Sequence, residues 1–335
     1  MRVTVLRFLK TLFLLGLLAA AGAAAAGWWW LQRPLPLPAP TVELSIEPGM
    51  VPRAVARAVR EAGVDVHPDL LYAWFRLSGQ GRKIKAGSYE LERGITPQRL
   101  LDKLARGEEA LRALTLVEGW NIRQVRAALA KGEQLKPDTR HLSDAELMKL
   151  LGREGQHPEG RFFPDTYTYS RGSSDVAVLK RAMRVMDKRL AEAWALRSPQ
   201  AAVKTPEEAL ILASIVEKET GRAADRTLVS SVVNNRLRIG MPLQTDPTVI
   251  YGMGERFDGN LRKVDLQTDT PWNTYMRGGL PPTPIAMPGK ESLLAAVQPA
   301  PGKFLYFVAK GDGTSHFSPS LDEHNRAVNR YQRRQ

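Results

Sequence analysis

The stretch that decides the fold is residues 205–251, TPEEALILASIVEKETGRAADRTLVSSVVNNRLRIGMPLQTDPTVIY. It opens on Thr205, Pro206 and, three residues after the threonine, Glu208. That is a helix start with a capping hydroxyl, proline at the first helical position and a glutamate placed to close a capping box. At ~100° per residue, Leu212, Ile215, Val216 and Glu219 fall in one sector, which predicts a core-facing stripe ending in a carboxylate, with Glu217 pointing elsewhere. A carboxyl against apolar neighbours loses hydration; its charged form is disfavoured, its pKa rises, and it can donate a proton near neutral pH. Gly221 fits the residue just past a helix end. The competing reading is a solvated Glu219 paired with Arg222, three residues on.

Downstream, Leu228, Val232 and Leu237 predict the buried side of a second helix that stops before Gly240. Residues 244–248 read as a polar loop leading into Val249, Ile250 and Tyr251, with Asp246 capping a turn against Thr248. Further on stand Trp272, Asn273, Thr274 and Tyr275, then GGLPPTPIAMPG, a loop its prolines would hold rigid and open. Phe304–Val308 predicts a strand, and His316 reads as a structural histidine.

Upstream, residues 41–46 alternate as a half-buried strand, Glu47, Pro48 and Gly49 turn the chain, and Val55, Ala58, Val59 and Ala62 sit at helical spacing. Helices are expected over 70–77 and 97–104, with a strand over 88–92 between them. Seventy residues on, the pattern returns: Leu114, Leu116, Gly119, Arg123, Val125, Ala128 and Leu129 take the places of Leu44, Ile46, Gly49, Arg53, Val55, Ala58 and Val59. This suggests a duplicated binding module. The aromatic run RFFPDTYTY (161–169) reads as core packing, and Val176 to Trp194 as a long amphipathic helix.

Residues 11–31 are uncharged throughout, enough to cross a bilayer core. Arg2, Arg7 and Lys10 precede them, which by the positive-inside rule leaves the N-terminus in the cytoplasm and sends the remainder outward. Trp28, Trp29 and Trp30 suit the far interface and favour a retained anchor over a cleaved signal peptide. RPLPLPAP (33–40) reads as a stiff spacer. The chain has 335 residues, no cysteine, five histidines and a formal charge of +13. Disulfides and thiolate metal sites are excluded, and no histidine pair has helical ligand spacing. The charge calls for an anionic partner such as a membrane surface or an acidic polymer; no nucleic-acid motif accompanies it.

ASIVEKET (213–220), NRLRIGMPLQTDPTVIYGMGER (235–256), NTY (273–275), GLPP (279–282), FPDTY (163–167), KAGSYEL (85–91) and VEGW (117–120) together resemble the YceG-like endolytic murein transglycosylases over almost the whole chain. Trp272, Thr283 and Met287 depart from the family's usual residues. The resemblance implies an α+β protein: a cytoplasmic tail (1–10), a single transmembrane helix (11–31), a Pro-rich linker (32–40), a LysM-like α/β module (41–112) and a lytic-transglycosylase-like mixed α/β catalytic domain (113–335). It implies residence in the bacterial cytoplasmic membrane with the catalytic domain outside, glycan strands of peptidoglycan as substrate, and peptidoglycan synthases as partners. In that class a Glu followed by a small hydroxyl residue is the acid and base, here Glu219-Thr220. Gln244, Tyr251, Asn273 and Tyr275 are expected to hold sugars, Glu217 to support, and neither metal nor cofactor is required. A non-catalytic glycan-binding scaffold is the alternative, as is a hydrolase with a second carboxylate among Asp246, Asp265 or Asp269.

Overall fold

The computed structural model describes residues 2–332, with side chains from residue 13 onward. Arg2, Arg7 and Lys10, which carry the expected orientation of the span, have side chains outside that range. The chain separates into two compact units, Met1–Arg112 and Ala113–Gln335.

The first unit begins with α1, Arg2–Gln32, in which Phe13–Gln32 is long and apolar enough to cross a membrane, by length and composition. Trp28 and Trp29 are exposed, while Trp30 packs against the unit's core. Residues 33–40 do not stand off as a spacer. Extended chain puts alternate residues on one side, and here Leu35 and Leu37 face the core, Leu35 being buried. Leu35 N–H donates to the Ile95 carbonyl (2.8 Å) and Asp65 N–H to that of Pro36 (3.0 Å). Then come β1 (Thr41–Ile46), α2 (Pro52–Glu61), α3 (Pro68–Leu77), β2 (Gly87–Glu92) and α4 (Pro97–Arg106). β1 and β2 pair antiparallel, Thr41 opposite Glu92 and Ile46 opposite Gly87. Val42, Leu44 and Ile46 face inward in the alternation read from sequence, covered by Val55, Val59, Leu71, Phe75, Leu100 and Leu104.

The second unit follows from β3 (Leu111–Thr115), whose first two residues belong to the first. Its elements are α5 (Ile122–Ala130), α6 (Asp144–Leu150), β4 (Thr166–Ser170), α7 (Asp175–Ala195), α8 (Pro206–Glu219), α9 (Ala223–Arg238), α10 (Asp246–Met253), α11 (Lys263–Gln267), α12 (Lys290–Val297), β5 (Tyr306–Ala309), β6 (Ser315–Ser318) and α13 (Leu321–Tyr331). β3 pairs with β4, and β5 with β6. The aromatic run packs inward: Phe162, Phe163, Tyr167 and Tyr169 are buried.

α8 is the axis of this unit, with α7, α9, α10 and α12 against it. Every residue from Ala209 to Val216 is buried, so the expected one-sided stripe is instead a helix enclosed all round. Its cap forms, Thr205 Oγ1 accepting from Glu208 N–H (3.1 Å). The Glu208 carboxylate accepts from Lys204 N–H (2.5 Å) rather than from Thr205, so the box is not reciprocal. Two further expectations are corrected. The TDPT segment is not loop but the start of α10, with Thr245 at the cap position and Pro247 in the first turn; proline's fixed φ suits that place. The 278–289 loop is not held open: Ile285, Ala286 and Met287 are buried, and Ile285 N–H donates to Ser214 Oγ of α8 (3.0 Å).

Candidate active site

Glu219 is the last residue of α8. Thr220 follows in extended conformation, its N–H donating to the Val216 carbonyl (3.3 Å). Its Oγ1 accepts from Arg222 N–H (3.1 Å). The helix therefore ends without a left-handed glycine; Gly221 has no positive φ. The surface ion pair that would have neutralised the site is not made either, since Arg222 Nη1 donates to the Gly313 carbonyl (3.2 Å).

Glu219 keeps part of its surface accessible, yet its carboxyl is packed closely enough that its pKa is lifted to about 7. Burial is the leading cause; the like charge of Asp246 adds to it, and the Arg236 guanidinium opposes both. A carboxyl with such a pKa holds its proton in mildly acidic solution and about half of the time near pH 7, a poise suited to releasing it to a substrate oxygen.

Asp246 does not cap a turn with Thr248. The Thr248 hydroxyl instead donates to the Thr245 carbonyl (2.7 Å) and lies 2.8 Å from the Thr274 hydroxyl. Asp246 Oδ1 accepts from the Tyr275 hydroxyl (2.6 Å), which places Tyr275 at the acid cluster. Gln244 is exposed, with an unusual φ of 50° for a residue with a side chain; such strain concentrates at functional sites. Asn273 is no free sugar ligand: it is fully buried. Its Nδ2 donates to the carbonyls of Leu266 (3.0 Å) and Thr268 (2.7 Å), and its Oδ1 accepts from Tyr275 N–H (2.9 Å). It braces the loop that presents Tyr275. Tyr251 is likewise committed, its hydroxyl donating to Glu159 Oε2 (2.9 Å) and its ring edge-on to Trp272 (5.4 Å). Glu217 Oε2 accepts from Gly289 N–H at the start of α12 (2.9 Å). Its charge acts on Glu118, whose pKa is raised first by burial and then by Glu217.

Two charged residues of this region escaped sequence reasoning. Arg236 is buried in α9, with Nε donating to the Leu305 carbonyl (2.7 Å), Nη1 to that of Leu243 (2.6 Å), and the guanidinium 5.3 Å from the Tyr306 ring centroid. Its signal was present, because it continues the buried positions Val229, Val232 and Val233 at helical spacing. Glu159, between Pro158 and Gly160, is fully buried and carried no periodic signal. Of the other acids considered, Asp269 is paired with Arg277 (2.7 and 3.0 Å) and Asp265 accepts from Arg262 N–H (2.8 Å). Among the described residues no cluster of three or more His, Cys, Asp or Glu is placed to hold a metal.

A carboxyl with a raised pKa at the end of an enclosed helix, with one acid and one guanidinium in electrostatic reach, is the candidate acid–base site of a mixed α/β unit. The chain belongs to the YceG-like family, whose model matches residues 44–330. An endolytic murein transglycosylase of Bacillus subtilis (strain 168) is 32% identical over 308 residues, covering 87% of this chain and 85% of the relative. One from Streptococcus pneumoniae is 26% identical over 325 residues, covering 86% of this chain and 58% of the relative. A crystal structure of a yceG-like protein from Listeria monocytogenes superposes with a TM-score of 0.56 at 28% identity, covering 86% of this chain and 98% of that one.

Proposed function

We propose that this chain is a membrane-anchored endolytic lytic transglycosylase of peptidoglycan, with Glu219 as acid and then base. The single observation that carries the reading is the closely packed carboxyl of Glu219 at the end of α8, its pKa lifted by burial to about 7, inside the residues 44–330 that the YceG-like family model matches. Protonated Glu219 gives its proton to the oxygen of the MurNAc–GlcNAc linkage, and that bond breaks. The resulting carboxylate takes the proton from the C6 hydroxyl of the same MurNAc, whose oxygen closes a 1,6-anhydro ring. Glu219 ends protonated as it began, and no water is consumed. The internal nucleophile has the advantage of proximity. Arg236 steadies the transient carboxylate, Asp246 favours its reprotonation, and Gln244 and Tyr275 line the approach of the sugar.

In this reading α1 is a retained anchor that holds the protein at the outer face of the cytoplasmic membrane. Residues 41–112 form a LysM-like glycan-binding module and residues 113–335 a lytic-transglycosylase-like domain. Cleavage within strands would limit their elongation beside the peptidoglycan synthases. Asp246 also gives a second reading, a two-carboxylate muramidase, since its charge acts on Glu219. Mass spectrometry of fragments released from sacculi by the full-length protein in detergent decides. Anhydro ends, one water lighter than reducing ends, support the lytic reaction; reducing ends support the hydrolase; no release in the presence of bound sacculi returns the protein to a scaffold.

A further inference from the structure

Glu159 is a fully buried carboxyl that the cleavage chemistry does not use. Ile122 N–H, in the first turn of α5, lies 3.1 Å from each of its oxygens, and the Tyr251 hydroxyl donates to Oε2 at 2.9 Å. Three segments are thereby clasped together: the loop carrying Glu159, the start of α5 and the second half of α10. A buried carboxyl is costly unless its partners satisfy it, and these partners belong to elements that no shared strand or turn joins. α10 spans eight residues and begins with Asp246, the like charge that acts on Glu219. The far end of α10 approaches α5 as well, Arg123 Nη1 lying 3.1 Å from where a Cβ on Gly254 would stand.

We infer that Glu159 is a positioning residue for the cleavage: through Tyr251 it fixes α10, and with it Asp246, against Glu219. This deepens the lytic reading of the same site and rests on it. The groups acting on Glu219 are Asp246 of α10 and Arg236 of α9, with Tyr275 beside them. Those acting on Glu159 are the Ile122 and Gly160 amides, Tyr251 and, at longer range, Asp144 of α6. Arg123 acts on Tyr251, and His157 accepts from Glu159 N–H (3.1 Å). Burial lifts Glu159 to about 7 against the pull of its hydrogen bonds.

The test uses Tyr251→Phe, which removes one hydroxyl, Glu159→Gln, which keeps the side chain's size, and their combination, all in the full-length protein. Each single change is expected to lower kcat about five- to tenfold with KM within about twofold, and the pair to lose no more than the worse single, as residues acting as one unit do. The Glu219 carboxyl carbon, followed by NMR in glutamate-labelled protein, is expected to titrate roughly half a pH unit lower once Asp246 is no longer held beside it. Additive losses overturn the inference, as does a Tyr251→Phe protein whose kcat and Glu219 titration both match the wild type. Should Glu159→Gln not accumulate folded, Tyr251→Phe decides alone. The titration needs no turnover, so a wild type that makes no anhydro ends would sink the lytic reading while leaving the positioning role to be judged on its own data.

Discussion

The two strand–glycine–helix segments, β1 to α2 and β3 to α5, begin alike and end in different roles. Leu44, Ile46, Val55 and Val59 in the first, and Leu114, Leu116, Val125 and Leu129 in the second, are all buried. Gly49 and Gly119 both turn with positive φ, 86° and 75°. What differs is the surroundings. A side chain at Gly49 would meet nothing within 4 Å, whereas one at Gly119 would touch Lys218 and Glu217 of α8. Gly119 N–H donates to the Met287 carbonyl (2.9 Å) and its own carbonyl accepts from Lys218 Nζ (3.3 Å). α2 starts with no side-chain cap. α5 starts with an Asn121–Gln124 capping box and gives its Ile122 N–H to Glu159. The same local code builds both segments, but only the second is tied to the helix that ends in Glu219.

The largest test of that contrast is Glu219→Gln, which leaves α8 and its neighbours in place and is expected to cut anhydro-product release by about 10²–10⁴-fold, the range for a lost general acid. Next, Ile46→Ala and Leu116→Ala should each cost about 2–5 kcal/mol of stability in denaturant unfolding, yet only Leu116→Ala should also slow turnover of the protein that remains folded. If both variants keep full specific activity, the coupling of the second segment to the site is wrong.

The pH profile gives a finer probe. An acid must hold its proton to donate it, so with Glu219 at about 7 kcat/KM should hold between about pH 5 and 6. It should then fall roughly tenfold per unit above 7. Asp246→Asn removes the like charge, lowers the Glu219 pKa and should move the falling limb to lower pH; an unmoved limb would show that Asp246 does not reach Glu219. Smaller still, alanine at Gly49 or Gly119 should each cost about 1–2 kcal/mol for placing a Cβ in left-handed backbone, with turnover altered at Gly119 alone. Last, Arg53 pairs with Asp69 at 3.4 Å with both side chains 65% exposed. Arg53→Ala should therefore shift stability by no more than about 1 kcal/mol and leave turnover unchanged.

Local structure was legible where one stretch of chain suffices to specify it. Thr205 and Pro206 announce α8, the alternation of Val42, Leu44 and Ile46 announces β1, and the glycines at 49 and 119 announce their turns. The stripe argument led to Glu219, although the helix is enclosed on every side and what sets the residue apart is its place at the end. The partners were only partly legible: Asp246 stood beside Asp265 and Asp269 as a possible second carboxylate with nothing to single it out, and Arg236 and Glu159 were missed. The three lie 27, 17 and 60 residues from Glu219, and periodicity says nothing about which distant segments share a cluster. Gln244, Tyr251, Asn273 and Tyr275 were indistinguishable by residue type. Only packing separates the exposed amide and the phenol on Asp246 from an amide and a phenol already spent on the protein's own groups.

Trp30, Leu35 and Leu37 lie on the first unit's core before its first strand begins. A water-soluble version cut just ahead of Thr41 would strip that cover and leave an oily scar on the module. Starting about ten residues earlier, at the last turn of α1, keeps the lid on and gives the better-behaved sample for crystallisation or assay.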